Sequence, residues 1–293
     1  MRILLTGADG FTGRHFQAAA EEAGHAVWAL DADLCDASAV QQAVEQAAKE
    51  AAFDAVLHLA GLAFVGHDDP LAFYRVNVMG TMNLLQALST QTQRGSLALR
   101  QVVVASSANV YGNCRTSPIA ESQPPAPVNH YAASKLAMEH LALTLADVLP
   151  LRLARPFNYT GPGQSQNFVI PKMVEHFKTR QSLLKLGNLQ VEREYNDVVW
   201  VSQAYLRLLA LPAAPSAQDR VVNLCTGVMH PLQAVLSTLQ DLTGHRLTVE
   251  TDPRLVRAQE VHRLCGQPAK LLSLVGPLAA PSLVQTLQAM LDA

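Results

Sequence analysis

Tyr131 and Lys135 stand four residues apart in YAASK, at the start of VNHYAASKLAMEHLAL, a stretch with helical apolar spacing. Residues four apart on a helix share a face, with Cβ atoms about 5–6 Å apart. A phenol titrates near pH ~10 when free, and each unit of depression requires about 1.4 kcal/mol of preferential stabilisation of the phenolate. A neighbouring ammonium supplies part of that. The pair is therefore a candidate proton donor near neutral pH. A solvated helix face can carry the same two residues by chance, so the case depends on what surrounds them.

A second chemical signal lies at the N-terminus. In RILLTGADGFTGRHFQ, Gly7, Gly10 and Gly13 follow a short apolar run and open a helical pattern, with Phe11 and Thr12 between the last two glycines. Glycines between strand and helix permit a tight turn and let backbone N–H groups approach a pyrophosphate, to which the helix N-terminus adds partial positive charge. The spacing is GxxGxxG. An ordinary strand-to-helix turn is the bland reading; the position of the trio favours a dinucleotide. The second apolar run ends at Leu30 and is followed by Asp31, where a carboxylate would bind the ribose hydroxyls and repel a 2′-phosphate. That favours NAD over NADP. Asp33 and Leu34, in DLCD, resemble a pair that walls the adenine in such folds, although almost nothing separates them from Asp31.

The elements needed to hold these residues follow from periodicity. RILLT, AVWAL, AVLHLA, QVVVASS, PLRLARP and RVVNLCTG are short apolar runs, most of the early ones separated by helical segments such as AVQQAVEQAAKE and VMGTMNLLQAL. That alternation predicts βαβ units, hence an α/β fold with a doubly wound parallel sheet of the Rossmann kind. After about residue 160 the texture changes to Gly/Pro-rich loops and isolated helices. A smaller mixed C-terminal substrate lobe is expected there. The boundaries are 1–160 with about 196–226 for the NAD(P)-binding domain, and 161–195 with 227–293 for the lobe.

Bulk properties exclude several classes. The chain has 293 residues, 49% hydrophobic and 16% charged, with a net charge of −2. This composition suits a soluble enzyme with a large core. It gives no basic stripe for nucleic acid, and no apolar run approaches the ~20 residues of a membrane span. Cys35, Cys114, Cys225 and Cys265 are far apart, which predicts free thiols, no metal and a cytoplasmic location. His58, His130 and His176 fall near strand ends or loops and are read as ordinary histidines, because the tyrosine already fills the acid role.

Together with HLAG (58–61), NVMGT (77–81) and SSANVYG (106–112), these motifs resemble the extended short-chain dehydrogenase/reductase family over essentially the whole chain. The resemblance implies that Ala60 and Gly61 line the pyrophosphate–nicotinamide strand, with Gly61 where an alanine is usual. It implies that Asn77 orders the strand ends and that Ser107 bonds the substrate carbonyl. Tyr131 then becomes the catalytic acid and Lys135 its partner, also bonding the nicotinamide ribose. NAD(P)H is the implied cofactor and a nucleotide-diphosphate sugar the implied substrate. Family members pair through a four-helix bundle, so a homodimer is expected.

Three later segments bear on the sugar. ARPFNYTGPGQSQNFVIP resembles the strand-to-loop entry of the substrate lobe, where Asn158 would bond the diphosphate. GNLQVEREYNDVVWV would supply Arg193, suited to a diphosphate through bidentate bonds. RLVRAQEVHRLCGQPAKL resembles a stretch of GDP-mannose 4,6-dehydratases and of the reductases acting on their keto products, with Arg257 on the diphosphate and Glu260 on the ribose. Ala258 and Gln267 depart from that pattern. Related dehydratases carry an acid in the turn after the catalytic serine; here Ala108 and Asn109 follow Ser107 and neither can act as a base, while the resemblance places Asn109 at the substrate, where some of the reductases keep a glutamate. Reduction of a 4-keto GDP-6-deoxy sugar is the expected activity. A sugar 4-epimerase, another sugar-nucleotide reductase or a non-catalytic dinucleotide sensor are the alternatives.

Overall fold

The structure is a computed structural model that describes residues 1–256 and 261–293. The chain begins with β1 (Arg2–Thr6), α1 (Phe11–Glu22), β2 (Ala26–Ala29), α2 (Ala37–Glu50) and β3 (Ala55–His58). A short α3 (Pro70–Phe73) runs into a π-helical stretch, Tyr74–Gly80, and then into α4 (Thr81–Gln93), β4 (Gln101–Ala105), α5 (His130–Leu143) and β5 (Leu151–Pro156). Next come β6 (Tyr159–Thr160), α6 (Val169–Lys178), β7 (Leu183–Leu186), β8 (Glu192–Glu194), β9 (Asn196–Asp197), α7 (Val198–Leu209) and β10 (Val221–Leu224).

Six of these strands form one sheet in the order β10-β5-β4-β3-β1-β2, with every pair parallel. Alternation along each strand explains why helices cover both faces. Ile3 and Leu5 join Phe16, Trp200 and Leu208 in one core, while Leu4 joins Val40, Val44 and Leu84 in the other. Strands buried on both sides read as unbroken apolar runs, such as Val102-Val103-Val104. The doubly wound sheet expected from the sequence is present. β1 lies between β2 and β3, so the chain winds outward from it in both directions and leaves a crevice at the carboxyl ends of β1 and β3. β2 is the outer strand on that side. From it the chain turns directly into α2, capped by Asp36, whose carboxylate accepts from the Ser38 and Ala39 amides at 2.9 and 3.0 Å.

The remaining elements are β11 (Met229–Pro231), α8 (Leu232–Thr243), β12 (Thr248–Thr251), β13 (Arg263–Leu264), α9 (Ala269–Val275) and α10 (Leu283–Asp292). β8 pairs antiparallel with β11 and parallel with β13, giving a small mixed sheet. α6, α8 and α10 enclose a separate core of Ile170, Met173, Phe177, Leu236, Leu239 and Leu287. By contrast, Leu271 of α9 packs into the core under α7. Among the described residues no helix is long and apolar enough to cross a membrane.

Candidate active site

Ser107, Tyr131 and Lys135 converge at the carboxyl end of β4. Asn129 caps α5 by accepting from the Ala132 amide at 2.9 Å, which fixes the first helical turn and with it Tyr131. Ser107 opens the short turn after β4 and hydrogen-bonds the Tyr131 phenol. Asn109 donates to the Ser107 hydroxyl oxygen through its backbone at 3.2 Å and its side chain at 3.1 Å. Lys135 donates to the Ala105 carbonyl at 2.9 Å. All three side chains are buried.

Burial sets their acidity. Tyr131 is pushed up to about 12, mainly by desolvation, against the Ser107 hydrogen bond. Lys135 is pushed down to about 8 by desolvation, against the Glu139 carboxylate one turn further along α5. The depression of the phenol by the ammonium, expected from their spacing, is therefore corrected. Within the protein's own groups desolvation wins, and the ammonium donates to a backbone carbonyl. The consequence is chemically coherent. A phenol held protonated is an acid in reserve, and it gives up its proton only as negative charge grows on an oxygen beside it.

Across the crevice, the glycine turn is defined by missing side chains. Gly7 has φ +73°, and a Cβ there would sit 2.7 Å from the Ala60 nitrogen. A Cβ on Gly13 would collide with the carbonyl oxygens of Gly7 and Ala8. Gly10 caps α1 without a side-chain hydrogen bond, unlike Asp36 on α2 or Asn129 on α5, so the first-turn N–H groups are left for a ligand. These features fit a dinucleotide pyrophosphate. Thr12 hydrogen-bonds Tyr159 at 2.8 Å, and the Phe11 ring stacks on Tyr159 with centroids 6.1 Å apart. Gly61 lies against Asn77 and Lys135: a Cβ there would be 2.8 Å from Asn77 Oδ1 and 3.2 Å from Lys135 Nζ. An alanine at Gly61 would crowd both.

At the far end of the crevice, Asp31 is exposed just past β2. The Asp33 carboxylate accepts from the Cys35 amide at 2.9 Å, while Leu34 is buried against Gly80. On the lobe side, Asn158 is exposed beyond β5 and its carbonyl accepts from the Asn196 amide at 3.0 Å. Arg193 donates to the carbonyls of Glu192, at 3.0 Å, and Val261. The Glu192 carboxylate pairs with Arg263 at 2.8 Å. Arg257 and Glu260 lie outside the described residues.

Several buried groups here escaped sequence reading. Glu194 accepts from the Gly266 and Thr226 amides at 2.6 and 2.8 Å and from Asn196 at 3.0 Å, tying the small mixed sheet to the segment after β10. Arg155 pairs with Glu139 through two bonds, 2.8 and 2.6 Å, and reaches the Tyr111 hydroxyl at 3.0 Å. Their partners are distant in sequence, so no local pattern announces them. His58 is visible in HLAG but reads there as an ordinary strand-end histidine, because Tyr131 already fills the acid role.

Fold and site together define a dinucleotide-binding α/β protein with a serine, a tyrosine and a lysine at the carboxyl edge of its sheet. The chain belongs to the NAD dependent epimerase/dehydratase family, whose model matches residues 3–225. It is 31% identical over 289 residues to a GDP-6-deoxy-D-talose 4-dehydrogenase of Aggregatibacter actinomycetemcomitans, spanning 94% of this chain and 92% of that protein. It is 34% identical over 307 residues to a GDP-6-deoxy-D-mannose reductase of Pseudomonas aeruginosa, spanning 99% and 96%. The solved structure of RMD from Pseudomonas aeruginosa complexed with NADPH matches with a TM-score of 0.87 at 32% identity, covering 99% of this chain and 97% of that one.

Proposed function

We propose that the protein uses NAD(P)H to reduce the 4-keto group of a nucleotide-diphosphate 6-deoxy sugar. The substrate is GDP-4-keto-6-deoxy-D-mannose and the product a GDP-6-deoxyhexose such as GDP-D-rhamnose. The observation that carries this reading is the meeting of Ser107, Tyr131 and Lys135 beside Gly61, opposite a turn stripped of side chains. Kinship with two proteins whose names specify GDP-6-deoxy sugars and, for one, position 4 supports the substrate class.

A bound reduced nicotinamide supplies one hydride to the carbonyl carbon. The protein supplies the rest. Ser107 donates to the carbonyl oxygen and orients it, and Tyr131 transfers its phenolic proton to that oxygen as the alcohol forms. Lys135, beside Gly61, bonds the nicotinamide ribose and stabilises the resulting phenolate. Asn109, an amide already bonded to Ser107, is no base for removing a sugar C–H proton, which argues for reduction over dehydration. Gly7, Gly10, Phe11, Thr12 and Gly13 hold the pyrophosphate, with Ala60 against Gly7 and Asn77 beside Gly61. Asp31 takes the adenosine ribose, favouring NADH, and Asp33 and Leu34 flank the adenine. Asn158, Arg193, Arg257 and Glu260 take the sugar nucleotide. In this reading residues 1–160 with 196–226 bind the dinucleotide, and 161–195 with 227–293 bind the sugar nucleotide. Two copies pair through α4 and α5, where Leu141 and the neighbouring Met79 are exposed, and the enzyme works in the cytoplasm.

The test is to mix the protein with NADH or NADPH and enzymatically made GDP-4-keto-6-deoxymannose, then follow reduced-nicotinamide absorbance and the product sugar. Loss of absorbance with a 6-deoxyhexose product supports the reading. Interconversion of sugars without net cofactor oxidation identifies an epimerase instead.

A further inference from the structure

His58 ends β3, is buried, and takes no part in the proton transfer above. Both ring nitrogens are engaged: Nδ1 is 2.6 Å from Thr6 Oγ1 and Nε2 is 2.8 Å from Thr81 Oγ1. Thr81 donates its hydroxyl proton to the Asn77 carbonyl at 2.7 Å, so toward the ring its oxygen accepts. Nε2 therefore carries the ring proton, and Nδ1 accepts from Thr6. A charged ring has no place here. Desolvation, helped by the charge of Lys135, holds the pKa down at about 3.

The chain of bonds continues to the site. Asn77 sits in the π-helical stretch Tyr74–Gly80, a rare local geometry found frequently at functional sites. Its side-chain oxygen accepts from the Leu62 amide at 2.8 Å, and its side-chain nitrogen donates to the Leu62 carbonyl at 3.1 Å and to Ser134 Oγ at 3.0 Å. Ser134 in turn donates to the Tyr131 carbonyl at 2.8 Å. Leu62 adjoins Gly61, and Tyr131 opens α5. One unbroken path thus runs from the end of β1, through the ring, to both walls of the site.

We propose that His58 is a positioning residue: donating to Thr81 and accepting from Thr6, it fixes the π-helical turn so that Asn77 clamps Leu62 and, through Ser134, the first turn of α5. The distance between Gly61 and the Tyr131 phenol is then set by a side chain that touches neither. Misplacement by about 1 Å at a reacting centre can cost ~100-fold in rate, so the path matters to turnover without entering the chemistry. The kinetic half of this inference rests on the reductase reading; the structural half does not.

Four variants test it. Asparagine at 58 accepts from Thr6 but is too short to reach Thr81, whereas glutamine reaches Thr81 with a donor. Thr81→Val removes the hydroxyl at constant shape and Thr81→Ser keeps it. His58→Asn and Thr81→Val are expected to lower kcat about ten-fold or more, with KM for the keto sugar changed by no more than ~3-fold. The double variant should be no worse than the poorer single, because both break one path. His58→Gln and Thr81→Ser should remain within a few-fold of the native enzyme.

Hydrogen exchange supplies the arm that needs no substrate. The Leu62 amide, whose one hydrogen bond among the described residues is to Asn77 Oδ1, should exchange ~10-fold faster in His58→Asn and Thr81→Val, while Val103 in the central sheet keeps its protection. Native-like Leu62 exchange in Thr81→Val, or losses of kcat that multiply in the double variant, overturns the proposal. If His58→Asn does not fold, the Thr81 pair decides alone. A native protein that reduces no keto sugar refutes the function, and the exchange result still judges His58.

Discussion

The two walls of the crevice are built on opposite principles. At the mouth of α1 the site consists of what is missing: Gly7 and Gly13 have no room for a Cβ, and Gly10 leaves the helix end uncapped. At the mouth of α5 it consists of side chains, each buried and each held by partners far away in sequence. Tyr131 bonds Ser107 from the end of β4, Lys135 bonds the Ala105 carbonyl, and Ser134 bonds Asn77. A backbone-built wall binds and cannot react. A side-chain-built wall can move a proton, but it needs a second layer to keep it in place.

That contrast predicts opposite kinetic failures. Tyr131→Phe removes the proposed proton donor and leaves the glycine turn intact. Turnover should fall by about 10²–10⁴-fold, while NADH or NADPH binding, followed by fluorescence titration, stays within a few-fold. An active phenylalanine variant would undo the assignment of the acid. Gly13→Ala does the reverse. The added methyl meets backbone carbonyls that cannot step aside, and overpacking of this kind costs about 1–3 kcal/mol. Cofactor affinity should drop by roughly 10–100-fold, with much of kcat recovered at saturation. If kcat falls and affinity does not, the two walls are not separable.

Acidity sharpens the comparison further. Lys135 is held down at about 8 by burial, so its ammonium is lost above that pH and the rate of reduction should decline there, by up to ~10-fold per unit. Lys135→Met should lower the rate and flatten this limb. The stability effect has a definite sign. Between about 8 and 10.5 the unfolded chain binds the lysine proton and the folded chain does not, so stability rises with pH across that window. Tyr131, raised from 10.0 to about 12, acts oppositely from pH 10.0 upward. The difference in unfolding free energy between native protein and Lys135→Met, measured from pH 7 to 10 by denaturant titration, should therefore move in favour of the native chain. A flat difference would mean that the lysine is not desolvated.

How much of this was legible follows from the same contrast. Glycines at fixed offsets after an apolar run announce a backbone site locally, and short apolar runs announced all six strands of the parallel sheet, although the edge strand β2 is largely exposed and β5 and β10 bury Arg152, Arg155 and Asn223 among their apolar residues. YAASK announced a spacing but misjudged the electrostatics, since desolvation depends on what packs around α5 and not on its own sequence. Glu194, Arg155 and His58 could not be assigned tasks. Their partners lie at Gly266, Glu139 and Thr81, and only the fold brings those positions together. The shortened connection after β2 was visible as the crowding of Asp31 and Asp33. Its cause is that β2 is the last strand on that side and the chain enters α2 at once.

The smallest expected effect concerns the far end of the backbone-built wall, where the proposed reading has Asp31 weigh NADH against NADPH. Asp31 is exposed past β2 and has no hydrogen bond or ion pair among the described residues, whereas Asp33 spends a carboxylate oxygen on the Cys35 amide. Asp31 is thus the carboxylate available to a ribose. A 2′-phosphate brings negative charge toward it, repelled by roughly 1–1.5 kcal/mol in total once solvent and salt screen it at this exposed site, while a serine hydroxyl still bonds a free 2′-hydroxyl. Asp31→Ser should therefore shift the ratio of NADPH to NADH affinity by about ten-fold toward NADPH, read as the ratio of kcat/KM for the two cofactors. The kcat values with either cofactor should stay unchanged, because the nicotinamide end is positioned by the other wall. A variant that loses both cofactors equally would make Asp31 a structural residue of the turn, and the preference would then have to be set elsewhere along the crevice.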